Sequence, residues 1–240
     1  MRRRAALEEI YPNAPLTEVA CEVRFPGNVA VECNRHLFWE RICEEYPNVL
    51  VPHAKPDIAP AMQHYRFGNA EGTRSVAVAI NSLAFSEQNY TTHKPFIVEF
   101  DRLHRLFGSS YPKLKQVTRV GWRYVNAIPF VRERGIAPIS QFLKVNVQLA
   151  SALPPAYRGL NATVEVATRE GVAIVKIATA RDHQDGTKEA ILLDLDYAFE
   201  GTFPFKDVPK LLRKAHTLNR QVFEEMITDQ YRAYLRGDSI

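Results

Sequence analysis

One order of structural elements occurs twice in this chain, and it constrains the fold more than any single motif. Each half reads strand, helix, three strands, helix. The first copy runs from Glu18–Phe25 through Arg35–Glu45 and three extended runs between Met62 and Tyr90 to a helix over Thr92–Phe107. The second runs from Val117–Ile128 through Pro138–Val145 and three runs between Asn161 and Phe199 to a long helix over Lys206–Leu235. The copies share pattern and not identities, so the constraint acts on fold. It predicts an α+β protein: duplicated β-α-β-β-β-α units forming one antiparallel sheet with helices on one face. The copies are bounded at 12–112 and 113–238 within a single functional unit, 1–240.

The strand assignments rest on period-two alternation. Val19, Cys21, Val23 and Phe25 face one way, and Glu18, Ala20, Glu22 and Arg24 the other, as on a strand with one buried and one wet face. Val120, Trp122 and Tyr124 oppose Arg119, Gly121 and Arg123 in the same manner. Ile191, Leu193, Leu195 and Tyr197 oppose Leu192, Asp194 and Asp196. Asn69–Thr73 and Asn81-Ser82 break the central runs, the second break weakly enough that Val76–Tyr90 also reads as one bent strand. Val51–Pro60, with three prolines and no period, reads as a surface connection.

Among the helices, Asn34 is the expected N-cap of the first and Pro47 its stop. The second takes Thr92 as N-cap and Pro95 in its first turn, with Gly108 beyond its end. In the last helix Leu211, Leu212, Ala215, Leu218, Val222 and Met226 form the apolar stripe, which Tyr234 extends. Leu218 and Val222 should therefore be nearly fully buried. Lys210, Arg213, Arg220, Glu224 and Glu225 should point outward.

Composition narrows the setting. A chain of 240 residues with 46% hydrophobic and 24% charged residues supports a full core. No apolar run approaches the ~18 residues that span a bilayer. The opening MRRRAALEEIYP has no apolar region behind its arginines, so it is not read as a secretory signal. A cytoplasmic location without membrane contact is expected. Cys21, Cys33 and Cys43 have neither zinc-site spacing nor an even count, and neither a disulfide framework nor a bound cofactor is expected. The net charge is +4, of which Arg2, Arg3 and Arg4 supply three, leaving +1 on the body of the chain. That is less basic than extensive phosphate contact usually requires.

The stretches NAPLTEVACEVRF, VGWRYVNAI, LLDLDYAFEG and AHTLNRQVFEEMITDQYRAYL resemble a sporadically distributed family of uncharacterised bacterial proteins. The resemblance covers essentially the whole chain and implies a single functional unit. It carries no catalytic residues to map. The patchy distribution implies an accessory role, such as conflict with phage or a toxin–antitoxin pairing. The element order is also similar to the duplicated fold of the TATA-binding protein and of the helix-grip proteins, by analogy of fold alone.

Candidate chemistry concentrates on two strand pairs. Asp194 and Asp196 share a strand face and could bracket a divalent cation, although a third carboxylate ligand is not identifiable. Arg119 and Arg123 flank Gly121, whose missing side chain leaves room for a phosphate or a partner carboxylate. The favoured reading pairs these arginines across the sheet with Asp194 and Asp196. His183 sits in a polar turn; His216 and Asn219 share the last helix and could face its packing interface, with a structural role expected for the histidine. Phosphate-loop, dinucleotide-binding and nucleophile-elbow motifs are absent.

The leading expectation is a non-enzymatic binding protein that takes a macromolecular partner, a protein, on its open sheet face or edges. Binding residues would be Arg119, Arg123, Asp194 and Asp196, with Arg2, Arg3 and Arg4 as a basic arm. The alternatives are a nucleic-acid-binding protein and a divalent-metal-dependent hydrolase using Asp194 and Asp196. Homo-oligomerisation is left open.

Overall fold

The structure is a computed structural model that describes residues 10–51, 63–147, 156–181, 185 and 188–238. In chain order the elements are β1 (Leu16–Arg24), α1 (Val29–Cys33), α2 (His36–Trp39), β2 (Asn48–Leu50), β3 (Tyr65–Gly68), β4 (Arg74–Ala79) and β5 (Ser82–Glu87). Next come α3 (His93–Ser110), β6 (Gln116–Phe130), α4 (Ile139–Phe142), β7 (Asn161–Ala167), β8 (Val172–Arg181) and β9 (Glu189–Pro204). A short 3₁₀ turn leads into α5 (Val208–Met226) and then α6 (Asp229–Arg236). These nine strands form one sheet in the order β2-β3-β4-β5-β1-β6-β9-β8-β7, and every neighbouring pair is antiparallel. The central β1–β6 pair is therefore flanked by β5-β4-β3 on one side and β9-β8-β7 on the other.

The expected alternation appears as burial. Val19, Cys21, Val23 and Phe25 are at most 3% exposed, and Ile191, Leu193, Leu195 and Tyr197 are equally deep. Helices cover this face. From α3, Phe96 meets Phe85 and Trp122 at ring-centroid distances of 4.7 and 4.8 Å, and Phe107 meets Phe25 and Phe38. Each such ring, taken out of water, contributes about 1.5–3 kcal/mol. A second cluster packs α6 and the Ala137–Leu143 segment against Ile191, Leu193 and Leu195. At the far edge β7 is exposed along most of its length.

Several expectations need correction. The long terminal helix is two helices, because Ile227 is extended and bridges to Leu143 while the Thr228 amide donates to the Phe142 carbonyl. Thr228 then caps α6 by accepting from the Tyr231 amide. The buried side of α5 is also rotated from the predicted one. Leu212, Ala215, Asn219 and Phe223 point inward, while Leu218 and Val222 are only half-buried. Glu224, expected outside, is buried and accepts from the Tyr11 hydroxyl at 2.9 Å.

Smaller corrections concern helix ends. Asn34 closes α1 and does not open a helix; the cap at its start is Asn28, whose side chain accepts from the Ala30 amide. The helix expected over Pro138–Val145 is the single turn α4. Gly108 lies inside α3, where a Cβ would come within 2.8 Å of the Phe205 ring. The weak break at Asn81-Ser82 separates two strands, and β2 is a short edge strand that the sequence pattern did not reveal.

Candidate functional site

The face of the sheet opposite the helices is a shallow basin of about 540 Å³, reaching from β3 to β7. Its floor is built from small side chains: Ser75 and Ala77 on β4, Ala84 and Ser86 on β5, Ala20 on β1 and Gly121 on β6. Each occupies the alternate position to a larger buried residue such as Val76, Phe85, Val19 or Trp122. The same alternation that fills the core on one side therefore leaves a low floor on the other. No described helix covers the basin.

The structure brings Arg119, Arg123, Asp194 and Asp196 together here. The backbone register sets Arg123 opposite Asp196, yet the side chains pair on the diagonal. Arg123 donates to both carboxylate oxygens of Asp194, each at 2.7 Å. Arg119 donates to Asp196 and, from the β1 side, to Glu22 at 3.0 Å. Its guanidinium lies over Gly121, where a Cβ would stand 2.6 Å from an arginine nitrogen. The space above Gly121 is thus occupied by Arg119. Lys176 adds a longer contact to Asp194 at 3.9 Å.

Arg119 is 8% exposed, and Asp196 beside it is well covered. Burial raises the Asp196 carboxyl above its ordinary value, and the neighbouring Arg119 charge works against that shift without cancelling it. Arg123 moves upward because its hydrogen bonds to Asp194 favour the charged guanidinium. Neither aspartate is left as an open ligand. Among the described residues, no group of three or more His, Cys, Asp or Glu stands where it could hold a metal ion.

Arg2, Arg3, Arg4 and His183 lie outside the described residues. Asn219 donates to the carbonyls of Trp122 and Leu195, at 2.9 and 3.0 Å, tying α5 to β6 and β9. His216 stacks on His93 at 4.6 Å and meets the edge of Trp122. Sequence reasoning missed Glu22, the second carboxylate on Arg119, although its alternating position on β1 already put it on the polar face. The small residues of β4 and β5 were missed as well. Their signal was an alternation of Ser and Ala with Val, Leu and Phe.

Neither a protein-family model nor a curated protein matches the sequence. No described helix is long and apolar enough to cross a membrane.

Proposed function

We propose that this is a non-enzymatic binding protein, cytoplasmic in location, that engages a protein partner through the bare face of its sheet. The carrying observation is the charge balance of the basin. Among the described residues, six carboxylates (Glu18, Glu22, Glu165, Asp194, Asp196, Glu200) and five basic side chains (Arg24, Arg66, Arg119, Arg123, Lys176) line it. A surface that gathers phosphates would be strongly positive. A surface with both signs fixed in place above a low floor suits a partner that presents complementary charges of both signs, and such patterning favours specificity. This balance weighs against the nucleic-acid reading, and the commitment of both aspartates to arginines weighs against the hydrolase.

The reading also takes the fold as an internal duplication similar to that of the TATA-binding protein. The arrangement of β5-β4-β3 and β9-β8-β7 about β1 and β6 supports it. The resemblance of the chain to a sporadically distributed bacterial family supports an accessory role, such as phage defence or a toxin–antitoxin pairing.

The test is mild purification from the native host of wild type and Ala84→Arg, a change that raises the floor of the basin. A stoichiometric protein partner held by the wild type and lost from the variant is expected. Recovery of nucleic acid in place of protein, or equal retention by both forms, would overturn the proposal.

A further inference from the structure

The two edges of the sheet are built differently. Strand β2 has three residues, a length that limits pairing with another chain. Strand β7 has seven, Asn161–Ala167, with no proline or lysine among them, and its register with β8 runs without a bulge. Short strands, lysine, proline and bulges are the devices that keep a sheet edge from pairing, and β7 uses none of them. Val164 and Val166 share one face of β7 and are 53% and 45% exposed. On the other face Glu165 reaches the basin.

The hydrogen bonds at the ends of the β7–β8 ladder determine which backbone groups the edge offers. The Thr179 amide donates to the Leu160 carbonyl at 2.8 Å, and the Thr168 amide donates to the Gly171 carbonyl at 2.8 Å. Hydrogen-bonded pairs recur at every second residue of an antiparallel ladder. Ala162, Val164 and Val166 therefore turn their backbone groups toward β8, and Asn161, Thr163, Glu165 and Ala167 turn theirs to the outer edge. Among the described residues no strand pairs on that side.

We propose that β7 pairs antiparallel with β7 of a second copy of this chain, about a two-fold axis at Val164. Val164 is the middle of the strand, so this register pairs its whole length. It sets outward-turned residues opposite one another, Thr163 against Glu165 and Asn161 against Ala167, for about eight hydrogen bonds. It also avoids the like-charge opposition that an axis at Glu165 would create. The two Val164 side chains meet in a non-hydrogen-bonded pair, where side chains come closest.

Charge is complementary across the junction. Lys176 lies opposite Thr163 on β8 and holds Asp194 only at 3.9 Å. Glu165 of the second copy arrives on the other side of that short threonine, so the row Asp194, Lys176, Glu165 alternates in sign. Both basins then lie on one face of a continuous sheet, with Glu165 of each copy at the junction. Seven residues at about 3.4 Å each give a shared edge of about 24 Å, a small interface, so the dimer should depend on concentration.

The test is sedimentation velocity of the full chain over a concentration series, on wild type, Val164→Lys and Thr163→Pro. Val164→Lys sets like charges face to face at the axis, and Thr163→Pro deletes an outward amide that β8 does not use. A wild-type dimer that weakens by about tenfold or more in each variant is expected. Val164 is half exposed, so its variant remains informative if Thr163→Pro does not fold. The register is read by mild oxidation against a wild-type control. Val164→Cys should cross-link two copies, because Cα atoms paired at the axis stand about 4.5 Å apart, and Glu165→Cys, offset from its own copy along the strands, should not. A wild type that stays monomeric throughout, a dimer indifferent to the substitutions, or cross-linking of Glu165→Cys in preference to Val164→Cys would overturn the proposal. None of these outcomes decides whether a protein partner occupies the basin.

Discussion

The two faces of the sheet place their polar groups in different ways. In the basin, arginines and carboxylates alternate and each of the four central charges has a partner across the strands. On the helix side, the described lining of a second cavity, of about 480 Å³, is rich in rings (Tyr90, Tyr124, His93, His216), and Arg220 there meets Glu224 at 2.7 Å. Basic residues on a sheet are thus no guide to anion binding by themselves when carboxylates on the same surface answer them.

The sharpest way to break this contrast is to remove a charge from the basin. Arg119→Met leaves Glu22 and Asp196 facing each other beside a poorly solvated site. Denaturant titration should show a loss of about 3 kcal/mol, in the range for stranding a buried pair. A loss under about 1 kcal/mol would mean that the ladder is ordinary surface. Next in size is Asn219→Ala, which strands the carbonyls of Trp122 and Leu195 and should cost about 2 kcal/mol. Leu218→Ala, one position away but half-buried, should cost less than Asn219→Ala.

These two variants mark where the sequence was legible and where it was not. Alternation on β1 and β9 requires only local information, since a period of two determines which side chains share a face. The rotation of α5 is not local. Asn219 turns inward because two strand carbonyls await its amide; its place on the helix let it face the packing interface, but those distant carbonyls are not visible in the local pattern. The break at Ile227 was missed for a related reason: its backbone is claimed by Leu143, far away in the chain. Thr228 followed by Asp229 did offer a capping signal, hidden by the apolar residues on either side. The pairing of Arg119 and Arg123 with Asp196 and Asp194 was readable as a tendency, but the diagonal choice of partner depends on side-chain reach. The helix-side cavity, gathered from four distant segments, left no trace in any one of them.

A pH series sharpens the comparison from the helix side. Burial lowers His104 to about 4 and His216 to about 3, so both fold as neutral rings. Their folded values lie below the unfolded value of about 6.5. The stability they hold is therefore full above that pH and lost as pH falls toward 4 and 3. His216→Phe should give a shallower decline of stability between about pH 6.5 and about pH 4 than the wild type. An unchanged slope would place the acid sensitivity elsewhere. The smallest expected effect is Arg123→Gln in the basin. Arg123 is 46% exposed at its side chain, so the change should cost under about 1 kcal/mol in equilibrium unfolding, despite two short hydrogen bonds.

The central claim is that the sheet presents a bare face, and it is tested most directly by thiol labelling of the Ala84→Cys variant in its free form. Ala84 stands on the floor of the basin, between the buried Leu83 and Phe85. The chain supplies both references: Cys33 is exposed, and Cys21 is buried with its thiol pushed well up by desolvation. Labelling of the introduced thiol at a rate near that of Cys33, with Cys21 untouched until the protein unfolds, is the predicted result. Labelling as slow as that of Cys21 would show the face to be covered and would contradict the account.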